Sequence, residues 1–98
     1  PAAAPAASSA RSADAKVDPA SQRQRDSDAR RILEDELRRE EDKLAALKRE
    51  YNNGEPERRG EERNYQTYLD RVAGMKVNIT RIESDIAAIK RELSKIGP

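Results

Sequence analysis

Residues Tyr65 to Ile96 read YQTYLDRVAGMKVNITRIESDIAAIKRELSKI, and in them Tyr65, Tyr68, Val72, Met75, Ile79, Ile82, Ile86, Ile89, Leu93 and Ile96 fall at alternating steps of three and four. That spacing keeps side chains on one face of a helix with 3.6 residues per turn, and its persistence over almost five heptads marks a coiled-coil seam. Gly97-Pro98 blocks continuation. Gly74 sits inside this helix, where it costs about 1 kcal/mol relative to Ala; it marks either a close approach of another helix or a tolerated weak point.

Working upstream, a thinner stripe runs through Ile32, Leu33, Leu37, Leu44, Leu47 and Tyr51, with Glu40 at a seam position. Asn52-Asn53-Gly54 supplies residues that tolerate a left-handed backbone, and Pro56 follows where a helix cannot continue. Asp18-Pro19 is a start signal, because an Asp side chain accepts from orphan N–H groups and Pro suits the first helical position. These signals predict helix one over residues 19–53, a loop over 54–61 and helix two over 62–96. Residues 20–31 are almost wholly polar, so fraying is expected before about residue 30. Residues 1–18 are rich in Pro, Ala and Ser with Val17 as the sole large apolar side chain, and are expected to form a disordered linker. The absence of an initiator Met makes the chain read as a piece excised from something longer.

The expected fold is therefore all-α: an antiparallel, coiled-coil-like helical hairpin. Setting Tyr51 beside Tyr65 places Leu47 near Tyr68, Leu44 by Val72, Glu40 near Met75, Leu37 by Ile79 and Leu33 near Ile82. Continued outward, this register sets Arg30, Asp26 and Arg23 opposite Ile86, Ile89 and Leu93, so the far end of the strongest stripe lacks apolar cover. Isoleucine at both a and d positions (Ile79, Ile82, Ile86, Ile89) favours more than two helices around a seam. The expectation is a hairpin paired into a dimer or four-helix bundle, with Val72, Met75, Ile79, Ile82, Ile86, Ile89, Leu93 and Ile96 as the interface.

Composition limits the chemistry. Of 98 residues 40% are charged and 3% aromatic, with neither Phe nor Trp, which suits long solvated helices rather than a thick core. Twenty basic residues against nineteen acidic ones leave a net charge of +1, and no clustered basic face is available to displace counterions from a nucleic acid. No apolar run approaches the roughly 20 residues of a membrane span, so no spanning helix is expected, and no stretch reads as a signal peptide. Cysteine and histidine are both absent, which removes Ser-His-Asp and Cys-His catalysis, thiolate or imidazole metal sites and a neutral-pH histidine switch. An enzyme is not expected, nor a cofactor, a metal or a small-molecule substrate; the expected partner is a second copy or another protein.

Two clusters invite a functional reading. Glu34, Asp35, Glu36, Glu40, Glu41 and Asp42 resemble a carboxylate site, yet Arg38, Arg39 and Lys43 are interleaved at helical neighbour spacings, the pattern of a solvated face. At the hairpin tip Tyr51, Tyr65 and Tyr68 are expected to gather near Arg49, Arg58, Arg59 and Arg63, a set able to clasp a carboxylate, phosphate or peptide. The favoured reading is that those tyrosines close the end of the seam while the arginines pair with Glu55, Glu57, Glu61 and Glu62.

The stretch ILEDELRREEDKLAALKREYNNGEPERRGEERNYQTYLDRVAGMKVNITRIESDIAAIKREL, Ile32 to Leu93, resembles the C-terminal helical region of small exported bacterial proteins that carry an N-terminal domain of unknown function (family four-one-two-four) followed by a Pro/Ala linker. Its most specific part is YNNGEPERRGEERNYQTYLDR. The resemblance covers about two thirds of the chain and implies a periplasmic location, with no functional residues to carry over. This sequence departs from the pattern in lacking the N-terminal domain and the signal peptide. The expected function is a non-enzymatic coiled-coil oligomerisation and docking module of a cell-envelope protein; the alternative is a helical adaptor or chaperone-like module that binds a peptide or anionic partner at the Tyr/Arg tip.

Overall fold

The computed structural model describes residues 18–62 and 64–96, and over these it is all-helical: two long helices packed against each other. Helix α1 spans Pro19–Tyr51, a 3-10 turn occupies Asn52–Gly54, and helix α2 spans Tyr65–Ile96. Of the linker expected over residues 1–18, residues 1–17 lie outside the described residues, as do Arg63 and the expected stop at Gly97-Pro98.

Local chemistry accounts for each boundary. Asp18 accepts from the Ser21 N–H at 3.1 Å while Pro19 occupies the first helical position, the start signal read from sequence. The polar opening is helical from Pro19 onward, and Gln22 to Asp26 and Gln24 to Asp28 side-chain bonds at 2.9 and 3.0 Å bridge successive turns. At the other end Asn52 and Asn53 have φ of 49° and 55°, and Gly54 has φ of 91°. Three left-handed residues in succession turn the chain away from α1, the Asn52 N–H closing the last turn on the Lys48 carbonyl. Helix α2 starts at Tyr65 rather than at residue 62. Asn64 terminates it, its side chain accepting from the Gln66 N–H at 2.7 Å, while Glu62 is drawn into the loop.

Burial follows the 3,4 rhythm on both helices. On α2 Tyr68, Met75, Ile82, Ile86 and Ile89 are buried and Val72, Ile79, Leu93 and Ile96 half-buried. On α1 the half-buried row is Asp26, Arg30, Leu33, Leu37, Glu40, Leu44, Leu47 and Tyr51. Arg30 suits such a place because its aliphatic stem covers apolar surface while its head reaches water. Glu40 keeps 18% of its side chain exposed and accepts from Lys43 at 3.1 Å. The Glu34 to Asp42 cluster otherwise lies on an exposed face.

The register differs from the sequence expectation. Lys48 and Glu83 form an ion pair at 3.4 Å across the hairpin. With Tyr51 beside Tyr65 these two residues would stand about 15 residues, or ~22 Å, apart along the helix axes, beyond the reach of either side chain. At the opposite end Ile96 shares a groove with Arg23, Asp26, Ser27 and Arg30, whereas the expected register carries it out to about Ala20. Helix α1 is thus displaced toward the C-terminal end of α2 by roughly seven to ten residues, two to three turns. The displacement brings Leu33 and Leu37 level with the stretch from Ile86 to Leu93, and Ile86 and Ile89 are only 8% and 7% exposed. Of the stripe expected to stand open, Ile86 and Ile89 are covered within the hairpin and Leu93 and Ile96 are half-buried.

Candidate functional site

The displaced register frees the first turns of α2 from α1, and the loop folds back over them. Tyr68, which the expected pairing sets against Leu47, instead donates its hydroxyl to the Pro56 carbonyl at 2.7 Å and is buried there. Arg71 donates to the Glu57 carbonyl at 2.6 Å and forms a two-pronged pair with Glu62, from Nε to Oε2 at 2.8 Å and from Nη2 to Oε1 at 3.1 Å. Glu62 also accepts from the Arg59 N–H at 2.6 Å, and its backbone carbonyl accepts from the Arg58 guanidinium at 3.2 Å. A single glutamate, 6% exposed, therefore ties three arginines and the loop to α2.

A buried carboxylate is tolerated only with charged and hydrogen-bonded partners, and Glu62 has both. The Arg71 hydrogen bonds, then the Arg59 N–H, hold its pKa down to about 2 against an ordinary 4.5, outweighing the upward push of burial. The same pairing raises Arg71 above its ordinary value. Among the described residues no buried side-chain polar atom lacks a partner.

Aromatic stacking completes the tip. The Arg58 guanidinium lies 5.3 Å from the Tyr65 ring centre and 5.6 Å from that of Tyr68, Arg71 covers Tyr68 at 5.7 Å, and the two rings sit 5.7 Å apart, tilted by 31°. Contacts of this type contribute ~0.5–1 kcal/mol each where water reaches them. Arg59 pairs with Glu50 at 3.0 Å. Of the tip set expected from sequence, the structure joins Arg58, Tyr65 and Tyr68 directly. It turns Arg59 toward Glu50 and sets Tyr51, half-buried, beneath Gly54, and Arg63 lies outside the described residues. Most of these groups are engaged with the hairpin itself. A cleft of about 500 Å³ remains beside them, with Arg49, Asn52 and Arg58 among its walls.

Of three residues central to the tip, Pro56 enters the sequence reading only as a helix stop and Glu62 only as one of four candidate partners for the tip arginines, while Arg71 carries no signal there. Arg71 and Glu62 stand nine positions apart across an irregular loop, a spacing that no helical period singles out.

Of the eight expected interface residues, Met75, Ile82, Ile86 and Ile89 are buried inside the hairpin, and Val72, Ile79, Leu93 and Ile96 retain part of their surface. The large apolar side chains that face water are others: Val77 at 67% and Leu69 at 41% on α2, and Ile32 at 64% and Tyr65 at 56%, which the sequence pattern had set in the stripes of α1 and α2. Among the described residues no helix is long and apolar enough to cross a membrane, and no group of three or more acidic side chains is placed to hold a metal ion. Comparisons with family models, with curated proteins and with solved structures find no match to this chain.

Proposed function

We propose that the chain is a non-enzymatic oligomerisation and docking module of a cell-envelope, periplasmic protein. One observation carries the reading: the hairpin encloses five buried apolar side chains, none of them fully shielded, while Val77 and Ile32 stand about two-thirds exposed. A seam that thin returns little against the conformational entropy of ordering two helices of 33 and 32 residues, so further burial against another surface is favoured. The non-enzymatic part rests on a composition with neither His nor Cys, and the periplasmic address on the resemblance of Ile32 to Leu93 to exported proteins. Because Ile86 and Ile89 are covered by α1, the associating surface in this reading is not the seam. Sedimentation equilibrium at tens of micromolar is expected to give a mass above that of one chain; a mass of one chain throughout that range overturns the proposal.

A second reading, an adaptor that takes a peptide or anionic group at the tip, is favoured by the cleft beside Arg49 and Arg58. Replacing Arg49 separates the two, since Arg49 enters no ion pair among the described residues. Loss of partner binding with unchanged mass supports the adaptor.

A further inference from the structure

The surface opposite the seam on α2 has a composition unlike a plain solvated face. Val77 lies at its centre, 67% exposed, and successive turns present Ala73, Thr80, Ser84 and Ala88 beside it. A shallow depression of about 570 Å³ runs over Val77, Thr80 and Ser84, with Arg81 and Asp85 on one flank and Lys76 on the other. Small side chains let a second helix approach to ~8 Å, the lower limit for helix packing. The charges along this face are arranged with a sense. Asp70 stands toward its N-terminal end and Arg91 toward its C-terminal end, while Arg81 and Asp85 lie near its middle, and none of the four has an ion-pair partner among the described residues.

Resting on the association proposed above, we infer that this face of α2 docks against the same face of a second copy, antiparallel, about a twofold axis passing between Thr80 and Arg81. That axis sets Val77 opposite Ser84 of the second copy, Ala73 opposite its Ala88 and Asp70 opposite its Arg91, each contact occurring twice because the interface is isologous. Helical side chains lean toward their own N-terminus, so in antiparallel helices Arg81 and the second copy's Asp85 lean toward each other. Lys48 and Glu83 meet across the hairpin in the same way, at 3.4 Å. A parallel pairing places Asp70 level with Asp70 and Arg91 level with Arg91, which repels. The same axis sets the two Arg81 residues level on one flank, each leaning past the other toward the opposing Asp85, so the antiparallel direction is favoured by the Asp70 to Arg91 and Arg81 to Asp85 pairs. The resulting assembly is a flat layer of four helices with the two α2 helices inside, not a closed four-helix bundle.

The chain holds no cysteine, so an introduced thiol is the sole one. Under mild oxidation Thr80→Cys, beside the axis, is expected to form a disulfide-linked dimer, and Glu92→Cys, remote from the axis, is not. Val77→Lys is expected to raise the dimer dissociation constant at least tenfold with helix content unchanged by circular dichroism. Arg81→Glu is expected to weaken association, and Arg81→Glu combined with Asp85→Arg to restore it. If the wild-type chain associates but Thr80→Cys does not cross-link, or Val77→Lys leaves its mass unchanged, this surface is wrong while association stands. A wild-type chain that stays monomeric removes both.

Discussion

Ile86 separates the two registers more sharply than any other position. With Tyr51 set beside Tyr65 it faces Arg30 and counts as a half-exposed residue, and truncating such a side chain changes stability by ~0.5 kcal/mol at most. In the structure it is 8% exposed with Leu33 and Leu37 brought level with its end of α2. Ile86→Ala removes three carbons from that setting. At ~0.8 kcal/mol per buried methylene the transfer loss is ~2.4 kcal/mol, and a cavity contribution takes Ile-to-Ala changes to 2–5 kcal/mol in thick cores. Two helices can close over a vacancy more readily than a globular core, which places the expected cost near ~2–2.5 kcal/mol. For a chain of this size that lowers the thermal midpoint by ~8–20 °C. The assay is urea and thermal unfolding followed by circular dichroism at one fixed chain concentration, because association makes apparent stability concentration-dependent. Val77→Ala serves as the control at 67% exposure, measured at a concentration low enough to keep the chain monomeric. Equal effects of Ile86→Ala and Val77→Ala, both within ~0.5 kcal/mol of wild type, refute the displaced register.

Three further outcomes follow from named contacts. Glu62 titrates at about 2 in the folded chain against an ordinary 4.5, so the stability it contributes is complete above pH 4.5 and is lost as pH falls toward 2; thermal midpoints of Glu62→Gln are expected to depend less on pH across that window than those of wild type, and parallel curves count against the clamp. Gly74→Ala is expected to stabilise the hairpin by ~0.5–1 kcal/mol, since an added Cβ meets nothing within 4 Å and the helix loses its most permissive residue; a destabilised variant means that something approaches Gly74 closely. Spin labels at positions 48 and 83 are expected to give one short distance, as the Lys48 to Glu83 contact requires, and a single population beyond ~20 Å contradicts it.

Much of the fold was legible because it depends on local rules. The 3,4 spacing from Tyr65 to Ile96, the Asp18-Pro19 start and the Asn52-Asn53-Gly54 stop each act through neighbouring residues, and the helices lie where these place them. Register is a different kind of quantity. Seam residues repeat every seven positions, so sliding one helix along the other re-pairs leucine with isoleucine at nearly every step, and the pattern alone distinguishes poorly among the slides. The expected register followed from assuming that pairing begins as soon as α1 ends. That assumption fails at the tip, where the loop competes for the first turns of α2 through contacts between Pro56, Glu57, Glu62, Tyr68 and Arg71 that have no periodic spacing. The missing apolar cover over Ile86 and Ile89 was itself the visible trace of this error.

The tip and the register are therefore one feature. Buried polar groups in coiled coils commonly fix alignment at some cost in stability, since an apolar seam tolerates several alignments and a charged pair tolerates few. Here the pair is Glu62 with Arg71, and it fixes alignment indirectly. By fastening the loop over Tyr68 it denies those turns to Leu47 and Leu44, and α1 is left to pack farther along α2. The alternative alignment has matched layers near the tip but sets Arg30 and Asp26 against Ile86 and Ile89, whereas the displaced one brings Leu33 and Leu37 level with that end of α2. The clamp and the far apolar stripe favour the same displacement from opposite ends of α2. Each end alone leaves the slide weakly determined; together they specify one hairpin, and with the seam closed on itself Val77 and its neighbours remain as apolar surface on the outer side of α2.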